Sequence, residues 1–164
     1  NISVDDLGDD DLAIRVTALL MRYKVSAEQL IFEITESAIM HNPQQALSVL
    51  EQLRGCGISL SVDDFGTGYS SLAQLQRLPV QELKIDQSFI RNLDSASGDG
   101  VIVRSTIEMS HNLGLKVVAE GVEFEPSLKL LKLWKCDTAQ GYLISRPLTA
   151  MAFERWMRRE RVPT

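Results

Sequence analysis

Apolar residues along this chain follow two patterns that succeed each other regularly. Short apolar runs begin near residues 30, 58, 80, 115 and 138. After each of them, apolar residues recur three or four positions apart, which is typical of one face of an α-helix. Strands that are each followed by a helix predict an α/β fold, with a parallel sheet and crossover helices.

Proline, glycine and acidic residues predict where several helices begin and end. Apolar positions indicate a helix over residues 12–23, after a run of aspartates that suits a helix N-terminus. Pro43 is expected to begin the next helix and Gly55 to end it. The last strand is predicted over residues 138–143, before a closing helix that contains Trp156.

Polar side chains fall at or near the ends of successive predicted strands. They are Glu33, Asp63, Asp64, Lys84, Glu120 and Gln140. Open doubly wound sheets and closed eight-stranded barrels both fit this order of elements, and both bind ligands at the carboxyl ends of their strands. The pattern therefore predicts a site at that edge of the sheet and leaves the two architectures open.

Two adjacent carboxylates, Asp63 and Asp64, end the second predicted strand. Neighbouring side chains on a strand point to opposite faces, so both carboxylates reach one site only if the chain turns there. Gly66 and Gly68 follow directly and permit such a turn. The alternative interpretation is an acidic loop in which an aspartate caps the next helix.

The acidic residues of this set, Glu33, Asp63, Asp64 and Glu120, offer only oxygen ligands. Such donors favour Mg²⁺, Mn²⁺ or Ca²⁺ over zinc. Two divalent ions about 3.5–4 Å apart would offset the repulsion between the carboxylates and are a usual arrangement for phosphoester cleavage. Lys84 would then orient the attacking water and compensate charge in the transition state. Its alternative role is a salt bridge to a neighbouring carboxylate.

Composition narrows the class of protein. A chain of 164 residues with 45% hydrophobic residues is expected to form one globular domain. A net charge of −5 argues against a broad nucleic-acid surface, so no DNA binding is expected. The chain has two cysteines, no secretory signal and no apolar run long enough to span a membrane, which predicts a cytoplasmic location.

Five short motifs, taken together in this order and spacing, resemble the EAL-domain family of cyclic di-GMP phosphodiesterases. They are Glu33-x-Thr35-Glu36, Asp63-Asp64-Phe65-Gly66-Thr67-Gly68, Leu83-Lys84-Ile85-Asp86, Ala119-Glu120-Gly121-Val122-Glu123 and Gln140-Gly141-Tyr142. The resemblance runs from Asn1 to about Trp156. It implies a TIM-like (β/α) barrel with one antiparallel strand, and metal-dependent hydrolysis of cyclic di-GMP to linear pGpG with Mg²⁺ or Mn²⁺.

The resemblance also implies roles at the matching positions. Asn1, Glu33 and Asp63 would bind one metal ion, and Asp63 would bridge to a second ion with Asp64 beside it. Lys84 would contact the catalytic water, Glu120 would hold the second ion or its water, and Gln140 would support that water network.

Further positions are implied to act around this centre. Glu36 would anchor the loop after Asp64, Glu123 would order the site, and Asp86 is a candidate for substrate binding. The loop that contains Phe65, Gly66, Thr67 and Gly68 couples dimerisation to metal binding in the family, so a homodimer is expected. For Glu36 the alternative is a helix cap, for Glu123 a solvated turn residue, and for Gln140 a turn residue that only satisfies backbone groups.

One family feature is missing from the chain, which contains no Glu-Ala-Leu segment. We therefore expect residues 1–164 to be a single, partial EAL domain of about five to six strand–helix units, without its N-terminal strands. The isolated fragment is expected to show little hydrolysis, while the intact parent would be an active phosphodiesterase. An upstream sensor or GGDEF domain is expected in the parent protein. If the parent is membrane-bound, the anchor is expected in an upstream segment. The alternative function is a nonhydrolytic cyclic di-GMP receptor that acts through a partner domain or dimer.

Overall fold

The computed structural model describes residues 1–66, 72–95 and 97–160, and contains a five-stranded sheet. Its strands are β1 (Ile31–Thr35), β2 (Ser59–Phe65), β3 (Glu82–Ile85), β4 (Lys116–Ala119) and β5 (Thr138–Ala139). The described helices are α1 (Val4–Leu7), α2 (Leu12–Tyr23), α3 (Glu36–His41), α4 (Pro43–Gly55), α5 (Leu72–Leu75), α6 (Gln87–Ile90), α7 (Gly98–Asn112), α8 (Glu125–Leu133) and α9 (Ala150–Glu160), with a 3-10 turn at Ala27–Gln29.

The order of the strands decides between the two architectures left open above. The sheet order is β1-β2-β3-β4-β5, so each strand lies beside its neighbour in sequence. A doubly wound sheet reverses its order at a switch point, whereas a barrel adds strands in sequence. The chain is therefore part of a TIM-like barrel. All strand pairings in the described part are parallel, so the antiparallel strand implied by the resemblance is not one of these five.

The hydrophobic core lies between one face of the sheet and the helices. Leu60, Leu83 and Val117 contribute from consecutive strands and are fully buried. Leu53 of α4 and Ile107 of α7 are equally buried in the same cluster. Burial of each such side chain stabilises the fold by roughly 1.5–3 kcal/mol. This packing holds the strands in register and therefore fixes the positions of their carboxyl ends.

The N-terminal residues run beside the first strand. Ile2 forms a parallel bridge with Ile34, and its backbone N–H donates to the carbonyl of Glu33 at 2.8 Å. Ser3 then caps α1 by accepting from the backbone N–H of Asp6, whose carboxylate accepts from Ser3. This capping box turns the chain into a helix. Because the bridge of Ile2 to Ile34 is parallel, Asn1 lies beside β1, one residue before the bridge.

The prediction of a strand over residues 138–143 was wrong in length. Strand β5 ends at Ala139, and Gln140 then accepts a hydrogen bond from the backbone of Val122. A Cβ on Gly141 would lie 2.2 Å from the carbonyl oxygen of Val122, so only glycine allows this approach. The chain leaves the sheet there because Gly141 packs against the turn that follows β4.

Helices α2 and α4 occur where the sequence predicts them. None of the helices in the described ranges combines the length and the apolar character that a membrane span requires.

Candidate active site

The end of β2 turns at Asp64. Val62 pairs with Leu83 and Phe65 with Ile85, so β2 carries one more residue than β3 between these pairs and forms a bulge. Asp64 adopts a φ of 54°, a left-handed conformation that aspartate tolerates better than most residues. The turn brings the two adjacent carboxylates together, as the sequence predicts. However, Asp64 itself makes the turn, in addition to Gly66 with its φ of 100°.

Lys84 lies at the centre of the carboxylates. Its ammonium nitrogen is 2.8 Å from Glu33 of β1, 3.1 Å from Asp63 of β2 and 2.7 Å from Glu120, directly after β4. Only 6% of the Lys84 side chain is exposed. An ammonium has three N–H donors, which is one for each carboxylate. Residues from four consecutive strand ends therefore meet at one point, and the salt bridges expected under the alternative role of Lys84 are present.

The buried charges shift the pKa values of this cluster. Burial lowers the pKa of Lys84, but its hydrogen bonds to Glu120, Glu33 and Asp63 outweigh that effect and raise the pKa above its ordinary value. Burial raises the pKa of Glu120, although the hydrogen bond from Lys84 opposes this. Burial, together with the charges of Asp63 and Asp86, also raises the pKa of Asp64. Four acidic residues, Glu33, Asp63, Asp64 and Glu120, share one nearby ammonium, so their negative charges are only partly compensated.

The donor set fits a hard divalent cation. Asp63, Asp64 and Glu120 each offer a carboxylate oxygen, and these oxygens lie within 4.8 Å of one another. Glu33 joins the same cluster through Lys84. All of these donors are oxygens, which suits Mg²⁺, Mn²⁺ or Ca²⁺. A divalent cation would also offset the repulsion from Asp63, which adds to burial in raising the pKa values of Asp64 and Glu120.

Glu36 contacts the loop that follows the acidic pair. The residue is 3% exposed, and its Oε2 accepts a hydrogen bond from the backbone N–H of Gly66 at 3.2 Å. The cap of α3 is made by Thr35, whose hydroxyl accepts from the backbone of Ala38. Glu36 is thus hydrogen-bonded to the residue two positions after Asp64, while Thr35 caps α3. Phe65 ends β2, while Thr67 and Gly68 lie outside the described residues.

The remaining predicted residues lie around the cluster. Asp86 caps α6, since its Oδ1 accepts from the backbone N–H of Ser88 at 2.9 Å. Gln140 and Glu123 are exposed and line a cleft of about 240 Å³ together with Glu120. Asn1 is exposed and precedes the bridge to β1 by one residue.

Sequence reasoning missed part of this cleft. Gln87, Arg91 and Tyr142 line it as well. Gln87 and Arg91 are four residues apart, a spacing that would have placed both on one helical face directly after the Lys84 strand. Tyr142 belongs to the motif Gln140-Gly141-Tyr142, which by itself assigns no role to the tyrosine.

The chain is similar in sequence to a described protein family and to named bacterial proteins. The family model described as "EAL domain" matches residues 1–147. The chain is 46% identical over 158 residues to a Pseudomonas aeruginosa protein named "Cyclic di-GMP phosphodiesterase NbdA", covering 96% of this chain and 20% of that protein. The chain thus spans about a fifth of the length of this curated relative.

Solved structures share the fold. The "PaMucR Phosphodiesterase, c-di-GMP complex" superposes with a TM-score of 0.89 at 42% identity, covering 93% of this chain and 68% of that one. Klebsiella pneumoniae BlrP1 was solved in complexes described as calcium/cy-diGMP and manganese/cy-diGMP. Their TM-scores are 0.79 and 0.78, at 33% and 34% identity, and they cover 87% and 85% of this chain and 36% of each BlrP1 chain.

Proposed function

This chain belongs to the EAL domain family, and on that premise we propose that its parent protein hydrolyses a phosphodiester bond of cyclic di-GMP to give linear pGpG. The observation that carries the proposal is the meeting of Glu33, Asp63 and Glu120 around Lys84, at the ends of parallel strands. This edge of the sheet is where a barrel of this type carries out chemistry. The names of the related phosphodiesterases support the same reaction class.

The acidic residues would hold divalent ions, for which we propose Mg²⁺ or Mn²⁺. Glu33, Asp63, Asp64 and Glu120 would be ligands, with Asp63 shared between two ions and Asn1 contributing from beside β1. Divalent ions bound there would polarise a phosphoryl oxygen and activate water. The oxygen-only donor set and the close approach of Asp63, Asp64 and Glu120 support this assignment.

Lys84 would act as a hydrogen-bond donor. The surrounding carboxylates raise its pKa, so the side chain stays protonated at neutral pH and does not take up the proton of the attacking water. An ammonium fixed in this position would orient the water and compensate charge that develops on the phosphoryl oxygens. Gln140 and Glu123 would support the water network from the neighbouring cleft, Asp86 would contact substrate, and Glu36 would hold the loop after Asp64 in place.

The proposal concerns the whole parent protein. We infer that residues 1–164 are a partial EAL domain and that the isolated fragment hydrolyses little substrate. The homodimer, the upstream sensor or GGDEF domain and the cytoplasmic location stay predictions.

Turnover by the full-length parent tests the function. With Mg²⁺ or Mn²⁺ we expect pGpG to accumulate in a chromatographic assay, and we expect a chelator to abolish it. Glu120→Gln should lower kcat by at least about 100-fold, because it removes a charged ligand. The matched variant Glu125→Gln lies in the exposed first turn of α8 and should leave kcat unchanged.

The opposite result has a clear meaning. If the parent binds cyclic di-GMP tightly but forms no product with any divalent ion, the protein is a nonhydrolytic receptor and the proposed reaction is wrong.

A further inference from the structure

The short helix α6 lies between the two acidic turns of the site. It follows β3, the strand of Lys84, and it contacts the turn after β2 as well as the turn after β4. The proposed metal ligands Asp63, Asp64 and Glu120 lie at those same two strand ends. The position of α6 therefore bears on how far apart these ligands are held.

The first contact joins α6 to the acidic pair. A Cβ on Gly66 would lie 2.9 Å from Cε2 and 3.3 Å from Cζ of Phe89, so the edge of the aromatic ring lies directly against the Gly66 backbone. Gly66 has a φ of 100°, a conformation that glycine adopts without strain. It follows the left-handed turn at Asp64 by two residues. The ring of Phe89 therefore limits the movement of this turn towards α6.

Gly66 is held by a second element as well. Its backbone N–H donates to Oε2 of the buried Glu36, in the first turn of α3, at 3.2 Å. The hydrogen bond fixes the amide, while the ring of Phe89 fills the space beside the Cα. Loss of the ring would leave both hydrogen-bonding groups in place but remove the packing that keeps Gly66 where they meet.

The second contact joins α6 to the turn that carries Glu120. A Cβ on Gly121 would lie 2.5 Å from the Cβ of Gln87, so α6 approaches this turn too closely for a side chain. The backbone N–H of Glu120 also donates to the carbonyl of Ile85, at the end of β3, at 3.2 Å. The turn after β4 is therefore fixed both to β3 and to the first residue of α6.

Helix α6 is itself held in place, although it is short. Asp86 caps its N-terminus by accepting from the backbone N–H of Ser88, and Ile90 is fully buried in the core. Phe89 is half-buried and packs against the same core. The helix is thus a spacer with a fixed position, and its first and third residues meet the two acidic turns.

From these contacts we propose that α6 sets the distance between the acidic pair and Glu120, and that Phe89 is a positioning residue for divalent-ion binding. Phe89 acts through Gly66 on the two aspartates that precede it. Ions such as Mg²⁺ demand near-ideal ligand geometry, so a small displacement of one turn lowers their affinity. The inference rests on the proposed function, since it concerns the same divalent-ion site.

Mn²⁺ binding to the full-length protein without substrate tests this role. Electron paramagnetic resonance of free Mn²⁺ gives the dissociation constant, at a temperature well below the Tm of each variant. Phe89→Leu keeps an apolar side chain but removes the ring edge, and it should weaken Mn²⁺ binding by about 10- to 100-fold. The control, Trp134→Leu, removes a half-buried aromatic ring at the end of α8 and should lower Tm without changing Mn²⁺ affinity.

Hydrogen exchange provides a second measurement, which does not depend on metal. In a chelator, the amide of Gly66 should exchange faster in Phe89→Leu than in wild type or in Trp134→Leu, because the ring no longer holds Gly66 against Glu36. Should the leucine variant not fold, Phe89→Met fills more of the same space, and both effects are expected in the same direction and smaller.

The possible outcomes separate this role from the proposed reaction. Unchanged Mn²⁺ affinity in Phe89→Leu, or an equal loss in Trp134→Leu, would overturn the positioning role of Phe89. A wild-type protein that binds no Mn²⁺ would overturn both this role and the proposed metal site. If only the Phe89 variants bind Mn²⁺ more weakly but the wild-type parent forms no pGpG, then α6 is correctly assigned and the proposed hydrolysis fails instead.

Discussion

Replacement of Lys84 by methionine tests how the acidic cluster is held together. The Lys84 side chain is 6% exposed, and its ammonium nitrogen lies within 3.1 Å of each of three carboxylates. Methionine keeps most of the apolar stem and removes the charge. Glu33, Asp63 and Glu120 would then face one another without a cation from the protein.

The expected cost follows from burial and screening. Removing one partner of a buried ion pair costs roughly 3–5 kcal/mol. Here the three carboxylate side chains keep 31%, 14% and 19% of their surface exposed. Water screens them in part, so we expect a loss of about 2–3 kcal/mol in the free energy of unfolding. For a domain of this size that corresponds to a fall in Tm of about 4–12 °C.

Thermal unfolding with and without divalent ions measures this effect. In a chelator, Lys84→Met should unfold at a lower temperature than wild type. Adding Mg²⁺ or Mn²⁺ should raise the Tm of the variant by more than that of wild type, because binding to the native state stabilises it and the uncompensated carboxylates bind the cation more tightly. Turnover by the parent should fall by at least about 100-fold even with saturating metal.

Lys116→Met removes an exposed lysine at the start of β4 and should change Tm little. If Lys84→Met unfolds at the wild-type temperature in a chelator and gains no extra stability from metal, the lysine does not balance the carboxylates, and this explanation of the site is wrong.

Two further variants test the packing and the acid stability of the fold. Gly141→Ala should lower the free energy of unfolding by about 1–3 kcal/mol, because its Cβ would meet the backbone of Val122. Gly55→Ala is the control and should not be destabilising, because a Cβ there has no neighbour within 4 Å. Equal stability of the two variants in denaturant unfolding would refute the close approach at Gly141. Burial raises the pKa of Asp137, but hydrogen bonds from His111 and a backbone N–H outweigh this and hold the pKa below its ordinary value of 3.8. Stability from this carboxylate is therefore present above about pH 4 and lost as pH falls through the folded pKa. Asp137→Asn should flatten that acid limb of unfolding measured against pH, and an unchanged limb would contradict the pairing.

Strand and helix positions could be predicted because each depends on local pattern. The alternating apolar run over residues 58–62 lies in and directly before β2, and Pro43 does begin α4. The choice between an open sheet and a barrel could not be made in this way, since both have the same sequence pattern. It required the spatial order of strands, which depends on contacts between distant segments.

Details of the site depend on such distant contacts too. Only the register of β2 against β3 shows that Asp64 takes the left-handed conformation. Lys84 was assigned to one carboxylate or to a water, yet it meets three carboxylates because four strand ends converge. His111 lies in the last turn of α7, and its partner Asp137 follows 26 residues later, a pairing that periodicity does not reveal.

The central claim is that carboxylates from separate strand ends hold divalent cations at one point. Anomalous X-ray scattering from crystals of the protein grown with Mn²⁺ tests this most directly. We predict manganese peaks in direct contact with carboxylate oxygens of Asp63 and Glu120. Fully ordered Asp63 and Glu120 side chains with no manganese peak between them, at a concentration that saturates turnover, would contradict the claim.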